Sequence, residues 1–267
     1  MDSLEHIDPI NQGAETLFRA IHENNLQLVT GVCDQFAAAI PEITKVTNEE
    51  GRTPLLEAMV LKRPELVHFL VERLDVNDSG AAPYTPLHLA AQQGDLSLTK
   101  LLLEHGAEVD AKDLQGRTPI YYSLDGDVAK TLIDAGTNLE SSGVDGMRPV
   151  HWHARQGNAK VLILLGSNGA NLSSKAGNDV TPLHLAAVAG HVDVVEFLAS
   201  QVDCNLPTAA GDKAIDWVNK ELRDLESPGL EQDCHRIKNL KKVRRTLGPW
   251  GRLARSVCNF TNRKYRI

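Results

Sequence analysis

The sequence predicts an all-α repeat solenoid of 6 to 7 helix-turn-helix units, degenerate caps included, and three observations carry that reading. The stretch Thr181-Pro182-Leu183-His184-Leu185-Ala186-Ala187 has a close copy at residues 85–91, and weaker copies begin at Thr53, Thr118 and Arg148. Degenerate versions begin at Thr16 and Lys213. Taking Glu15, Thr53, Thr85, Thr118, Arg148, Thr181 and Lys213 as equivalent, the steps are 38, 32, 33, 30, 33 and 32 residues. A period of this size means stacked small units rather than one large core. Within a copy, apolar residues follow helical spacing twice, once on each side of a glycine.

Taken in order, residues 1–13 contain Pro9, Asn11, Gln12 and Gly13 and little apolar material, so they read as a mobile leader, with the first helical pair starting at Glu15. Leu17, Ala20, Ile21, Leu26, Leu28 and Val29 then fill the apolar positions held by Leu183, Ala186, Ala187, Val192, Val194 and Val195. An extended connection at residues 36–43 precedes Thr53. In each Thr-Pro pair the hydroxyl is suited to an orphan helix N–H, and proline at the first helical position lacks a donor that would go unused. Gly94, Gly157 and Gly190 suit the turn between the two helices, and Gly106, Gly136 and Gly169 the exit from the second.

Unit four is short. Thr118 to Gly136 spans 18 residues, against 21 from Thr85 to Gly106, so its first helix or its inter-helix loop is trimmed near Asp125-Gly126-Asp127. In unit five Arg148 replaces threonine and His153 the first alanine. Residues 219–226 read as a charged capping helix that Ser227-Pro228-Gly229 breaks. Beyond it, Ile237, Leu240, Val243 and Leu247 stand at helical spacing among basic residues, an amphipathic cationic helix. The expected organisation is a leader at 1–13, a solenoid at 14–225 and a basic segment at 226–267, partly helical or disordered.

The T-P-L-H-x-A-A motif at a period near 33 resembles the ankyrin repeats over roughly Ala14 to Leu225. The resemblance implies ankyrin-type helix-turn-helix units joined by β-turn or hairpin loops. It also implies that His88, His151 and His184 are hydrogen-bond links within and between repeats, not ligands. The family binds partners on a concave face built from loop tips and first helices. Mapped by the motif, that face holds Arg52, Tyr84, Gln92, Gln93, Leu114, Gln115, Arg117, Met147, Arg155, Gln156 and Val180. The position after the motif histidine reads Arg19, Glu57, Leu89, Tyr122, Trp152, Leu185 and Trp217. Leucine there is framework; Tyr122 and Trp152 exceed what the slot normally holds and are expected as partner anchors, since aromatic anchors dominate interface energetics.

Catalysis finds no support. There is no Gly-rich phosphate loop, no G-x-S-x-G elbow and no H-E-x-x-H, and His151 and His153 would point to different helix faces. The chain is expected not to be an enzyme and to need no metal or other cofactor. Four scattered cysteines and an acidic N-terminus without an apolar stretch point to a reducing compartment, cytoplasmic and/or nuclear, with no membrane span. Charge is split. Residues 1–234 hold 17 basic and 35 acidic residues, whereas residues 235–267 hold 11 basic and none acidic. Lys241, Lys242, Arg244 and Arg245 form a compact basic run, to be read as an import signal, a phosphate contact, an acidic-surface contact or a helix folded back on the acidic array. The expected function is an intracellular adaptor or scaffold that binds another protein, is monomeric alone, and uses its basic tail for localisation or a second contact. Two alternatives stay open: a nucleic-acid- or chromatin-associated protein binding through that tail, and a substrate receptor of a protein-degradation complex.

Overall fold

A computed structural model describes residues 9–36, 45–226 and 234–248. They form 13 α-helices and two short 3₁₀ turns, with no strand among the described residues. The chain divides into two compact units, Met1–Thr137 and Asn138–Ile267, each a run of all-α repeat solenoid.

The N-terminal unit holds four repeats. They pair α1 (Pro9–His22) with α2 (Leu26–Gln35), α3 (Pro54–Val60) with α4 (Pro64–Val71), α5 (Pro86–Gln93) with α6 (Leu96–Glu104), and a 3₁₀ turn (Pro119–Tyr122) with α7 (Gly126–Asp134). First helices stack on first helices, α1 on α3, α3 on α5 and α5 on the 3₁₀ turn, while α2 packs on α4 and α6 on α7. Each interface buries small and branched side chains: Ala14, Leu17, Ala20 and Ile21 of α1 and Leu87, Ala90 and Ala91 of α5 are at most 1% exposed. None of these helices, 14 residues at most, would be stable alone; the stacked apolar faces hold them.

One expectation changes here and another is narrowed to one of its alternatives. The first helix begins at Pro9, six residues before Glu15. Proline is tolerated in a first turn, Asn11 and Gln12 face solvent, and Gly13 and Ala14 are buried on the inner side, so the polar residues mark an exposed face rather than a leader. Residues 1–8 lie outside the described residues, as do 37–44 of the expected connection. In repeat four the trimming falls on the first helix, which shrinks to the four-residue turn Pro119–Tyr122 before Asp125 caps α7 through its Oδ1, 2.7 Å from Asp127 N.

The C-terminal unit holds three repeats: α8 (Pro149–Gln156) with α9 (Ala159–Ser167), α10 (Pro182–Ala189) with α11 (Val192–Gln201), and α12 (Ala214–Leu225) with α13 (Cys234–Leu247). α8 packs on α10 and α10 on α12; α9 packs on α11. α13 pairs with α12 and also packs on α11, the position that a second helix takes in this stacking. It is therefore the second helix of a seventh repeat, reached through a long connection, and the expected boundary at 225/226 falls inside that repeat. Ile237, Leu240, Val243 and Leu247, the stripe read from the sequence, are at most 8% exposed. Burying four such side chains contributes roughly 1.5–3 kcal/mol each before entropy is counted, so apolar packing anchors the helix.

Candidate protein-binding surface

The loops before five of the seven repeats fold to one pattern. In residues 48–52, 113–117, 143–147, 176–180 and 208–212 the first N–H donates to the fifth carbonyl: Asn48 to Arg52 (3.0 Å), Asp113 to Arg117 (2.9 Å), Gly143 to Met147 (2.9 Å), Ala176 to Val180 (2.8 Å) and Thr208 to Asp212 (2.8 Å). The fourth N–H returns to the first carbonyl, which closes a tight turn. That fourth residue has positive φ, 73° at Gly116 and 59° at Asp179, and glycine fills it in four of the five loops. Within each unit neighbouring tips are tied together, Leu114 N to Pro83 O (3.2 Å) in one and Ala209 N to Asn178 O (2.9 Å) in the other.

The motif histidines lock these loops to the helices. Thr85 N and its hydroxyl lie 3.3 and 2.8 Å from His88 Nδ1, and His88 Nε2 is 3.0 Å from Arg117 O in the next repeat. A backbone amide only donates and a carbonyl only accepts, so Nδ1 must be bare and Nε2 must carry the proton. His184 repeats this with Thr181 and Asp212 O (3.2 Å), and His151 with Arg148 N (3.2 Å) and Val180 O (3.2 Å). Burial pushes all three imidazole pKa values down, more than their carbonyl contacts push them up. Tyr121 takes the histidine place in repeat four, and the buried Thr118 hydroxyl there has no partner among the described residues.

In the N-terminal unit several expected partner residues come together around a buried carboxylate. Asp113, with 1% of its side chain exposed, accepts from Arg117 Nε (2.8 Å) and the Tyr122 hydroxyl (2.5 Å) on Oδ2, and from Gln115 N and Arg117 N on Oδ1. Arg117 also reaches Gln115 Oε1 at 2.6 Å and lies over the Tyr122 ring, 4.9 Å from its centre. Burial alone would raise the Asp113 pKa, but these hydrogen bonds outweigh it and hold the carboxyl below the usual range. Tyr122, half-buried, is shifted the other way by burial and by the carboxylate it faces. An equivalent cluster surrounds Glu57, also buried, which meets Arg52 (3.1 Å), Asn48 (3.0 Å) and His22 (3.0 Å). The hydrogen bond to Glu57 is the largest reason that the Arg52 pKa is raised, and Tyr84 lies alongside.

Arg52, Arg117 and Tyr122 are thus braces as well as surface groups. Asp113 and Glu57 were missed as their partners. The available signals were the i, i+4 spacing of Asp113 and Arg117 across one tip and a carboxylate at Glu57 in a slot otherwise apolar. Gln92, Gln93 and Leu114 project freely into solvent in this unit, Leu114 at 74% exposure. In the C-terminal unit Arg155 and Gln156 are exposed, Met147, Trp152 and Val180 half-buried, and Val144 at the tip is 81% exposed. The Val180 and Arg155 carbonyls accept from His151 and His191, so their backbones are scaffold.

Five loops with the same hydrogen bonds, four of them followed by a helix or 3₁₀ turn that proline opens, fit one repeat family, and comparison with known sequences agrees: residues 63–143 and 124–208 match the family described as "Ankyrin repeats (3 copies)". The chain belongs to the ankyrin-repeat family. Inversin of Gallus gallus is 36% identical over 81 residues, 30% of this chain and 7% of that protein. The Ankyrin repeat and SAM domain-containing protein 6 of Mus musculus is 30% identical over 129 residues, 44% of this chain and 14% of that one. The chain thus spans a small fraction of these relatives. The crystal structure of the ankyrin repeat domain of Bcl-3, described as a unique member of the IkappaB protein family, shares the fold with a TM-score of 0.65 at 20% identity, covering 85% of this chain and 97% of that one. Ankyrin repeats are a general protein-protein interaction module.

The basic run is not a free tail where it is described. Lys241 pairs with Glu226 (2.7 Å), Arg236 with Glu221 (2.6 Å) and Lys242 approaches Glu196 (3.9 Å), while Arg244 and Arg245 are exposed. The fold-back reading is the one realised over residues 234–248, and residues 249–267 lie outside the described residues. No helix is long and apolar enough to cross a membrane, and no group of three or more potential metal ligands occurs among the described residues.

Proposed function

We propose that this ankyrin-repeat chain is an adaptor that binds a partner protein across its loop tips and first helices, in the cytoplasm and/or nucleus, without catalysis of its own. The observation that carries the reading is the contrast between backbone and side chains at the tips. The same hydrogen-bonded turn recurs five times, yet its second residue is Glu49, Leu114, Val144, Gly177 or Ala209. An invariant frame with varied, solvent-facing side chains is what specific recognition needs. Leu114 and Val144 expose apolar side chains with no folding benefit, and the glutamines and Arg155 add hydrogen-bonding rim groups. Because the turns are already locked, little conformational entropy is lost on binding.

Affinity capture on the full chain, compared with a Leu114→Asp/Gln93→Ala variant and a Val144→Asp/Trp152→Ala variant, tests this. Partner retention should fall for both variants while far-UV circular dichroism is unchanged. Retention equal to the parent chain would overturn the reading. The alternatives differ in where loss appears. A nucleic-acid-associated protein would lose binding on changes near Arg244 and Arg245 and with rising salt. A degradation receptor would co-purify ubiquitin-transfer subunits.

A further inference from the structure

The solvent face of α13 is a rigid cationic ridge unlike the other second helices. From Cys234 to Leu247 it has six Lys and Arg, one His and no acid. Its inward stripe is Ile237, Leu240, Val243 and Leu247, so the outward stripe falls on His235, Lys238, Lys242 and Arg245, all four exposed at helical spacing. The stripe is about 15 Å long at 1.5 Å per residue. Its flanks are paired to the neighbouring helix and its cap: Arg236 to Glu221 and Lys241 to Glu226. Those pairs consume the side cations and fix the ridge. Lys238, Arg244 and Arg245 stay directed at solvent.

We propose that this ridge is a second docking surface, for a short acidic segment of a partner protein. Three features select that occupant. The apolar face of α13 is already buried against α11 and α12, so no amphipathic face is left to enter a lipid headgroup region. The ridge is one helix wide and bordered by Glu196, Glu221 and Glu226, each partly exposed. A nucleic-acid duplex, broader than a single helix, would bring phosphates against those carboxylates. A single acidic strand or helix fits between the borders and meets cations along its length. Reading of Lys241 to Arg245 as an extended import peptide would require Val243, fully buried, to leave the core.

The test uses the full chain and a fluorescein-labelled oligoglutamate of about ten residues, with a duplex DNA of similar charge as the competing probe, in fluorescence anisotropy at low and physiological salt. Oligoglutamate should bind more tightly than the duplex, and Lys238→Glu/Arg245→Glu should weaken it roughly tenfold or more. Lys160→Glu on α9, an exposed second-helix cation, should leave binding within about twofold. All three charges are exposed, so the thermal unfolding midpoint serves as the folding control. The proposal is overturned by tighter binding of the duplex, by equal loss in the Lys160 variant, or by loss that follows Arg252→Glu/Arg255→Glu while Lys238→Glu/Arg245→Glu binds normally. Tip variants at Leu114 and Val144 should bind oligoglutamate as the parent does, so this surface and the adaptor surface fail separately.

Discussion

Acidification should loosen the array before any carboxylate titrates, because the three repeat links are neutral imidazoles. His88, His151 and His184 each accept on Nδ1 from the residue that starts their helix and donate from Nε2 to a carbonyl one repeat on. Protonation places a second N–H against an N–H and breaks the first bond. Their folded pKa values lie below the ordinary 6.5, so below that pH the unfolded chain binds protons that the folded chain refuses. The sign follows: stability is full above pH 6.5 and is lost as pH falls from 6.5 toward the folded values. At pH 5.5 an unfolded histidine gains about 1.4 kcal/mol from protonation, so three refused protons cost up to about 4 kcal/mol. Urea unfolding followed by circular dichroism at pH 7.5 and 5.5 should show the midpoint falling, by at most about 1–2 M. A midpoint that stays level or rises across that interval would refute the neutral-link reasoning.

Further expectations are narrower. Asp113→Ala leaves Arg117 and the Tyr122 hydroxyl without their shared acceptor and should cost about 3 kcal/mol in chemical unfolding, whereas Gln115→Ala should cost under about 1 kcal/mol. Gly157→Ala places a methyl 2.5 Å from the His191 ring at φ 76° and should destabilise by about 2 kcal/mol or more, read as a lowered thermal midpoint. Thr181→Val removes a hydroxyl bonded to His184 and should cost about 1 kcal/mol, while Thr118→Val removes one without a partner among the described residues and should be neutral or stabilising by a similar amount. Equal losses from these two valine variants would show that the histidine link is not what distinguishes repeat four.

What the sequence made legible follows from which forces act locally. Proline starts, glycine exits and the histidine links are set by backbone rules at fixed offsets, so Thr181-Pro182 and Gly190 could be placed without a structure. The apolar stripe of α13 was equally readable, but its home was not: a second helix reached through a broken connection shows in sequence only as a separate segment, because the contact with α11 spans more than thirty residues. Composition misplaced the start of α1, since a helix with one wet face looks polar over a short window. The braces at Asp113 and Glu57 escaped because a buried carboxylate and an exposed one are the same letter; only packing tells them apart. Leu114 and Gln93 are exposed because loop-tip and helix-end positions repeat with the motif.

Partner recognition at the loop tips can be separated from recognition at α13 by a single set of affinities. The dissociation constant of a captured partner should be measured for the parent chain, for Leu114→Asp/Val144→Asp, and for Lys238→Glu/Arg245→Glu. The tip variant should lose roughly tenfold or more in affinity with an unchanged unfolding midpoint. Full affinity in the tip variant, with loss confined to the α13 variant, would contradict recognition at the loop tips.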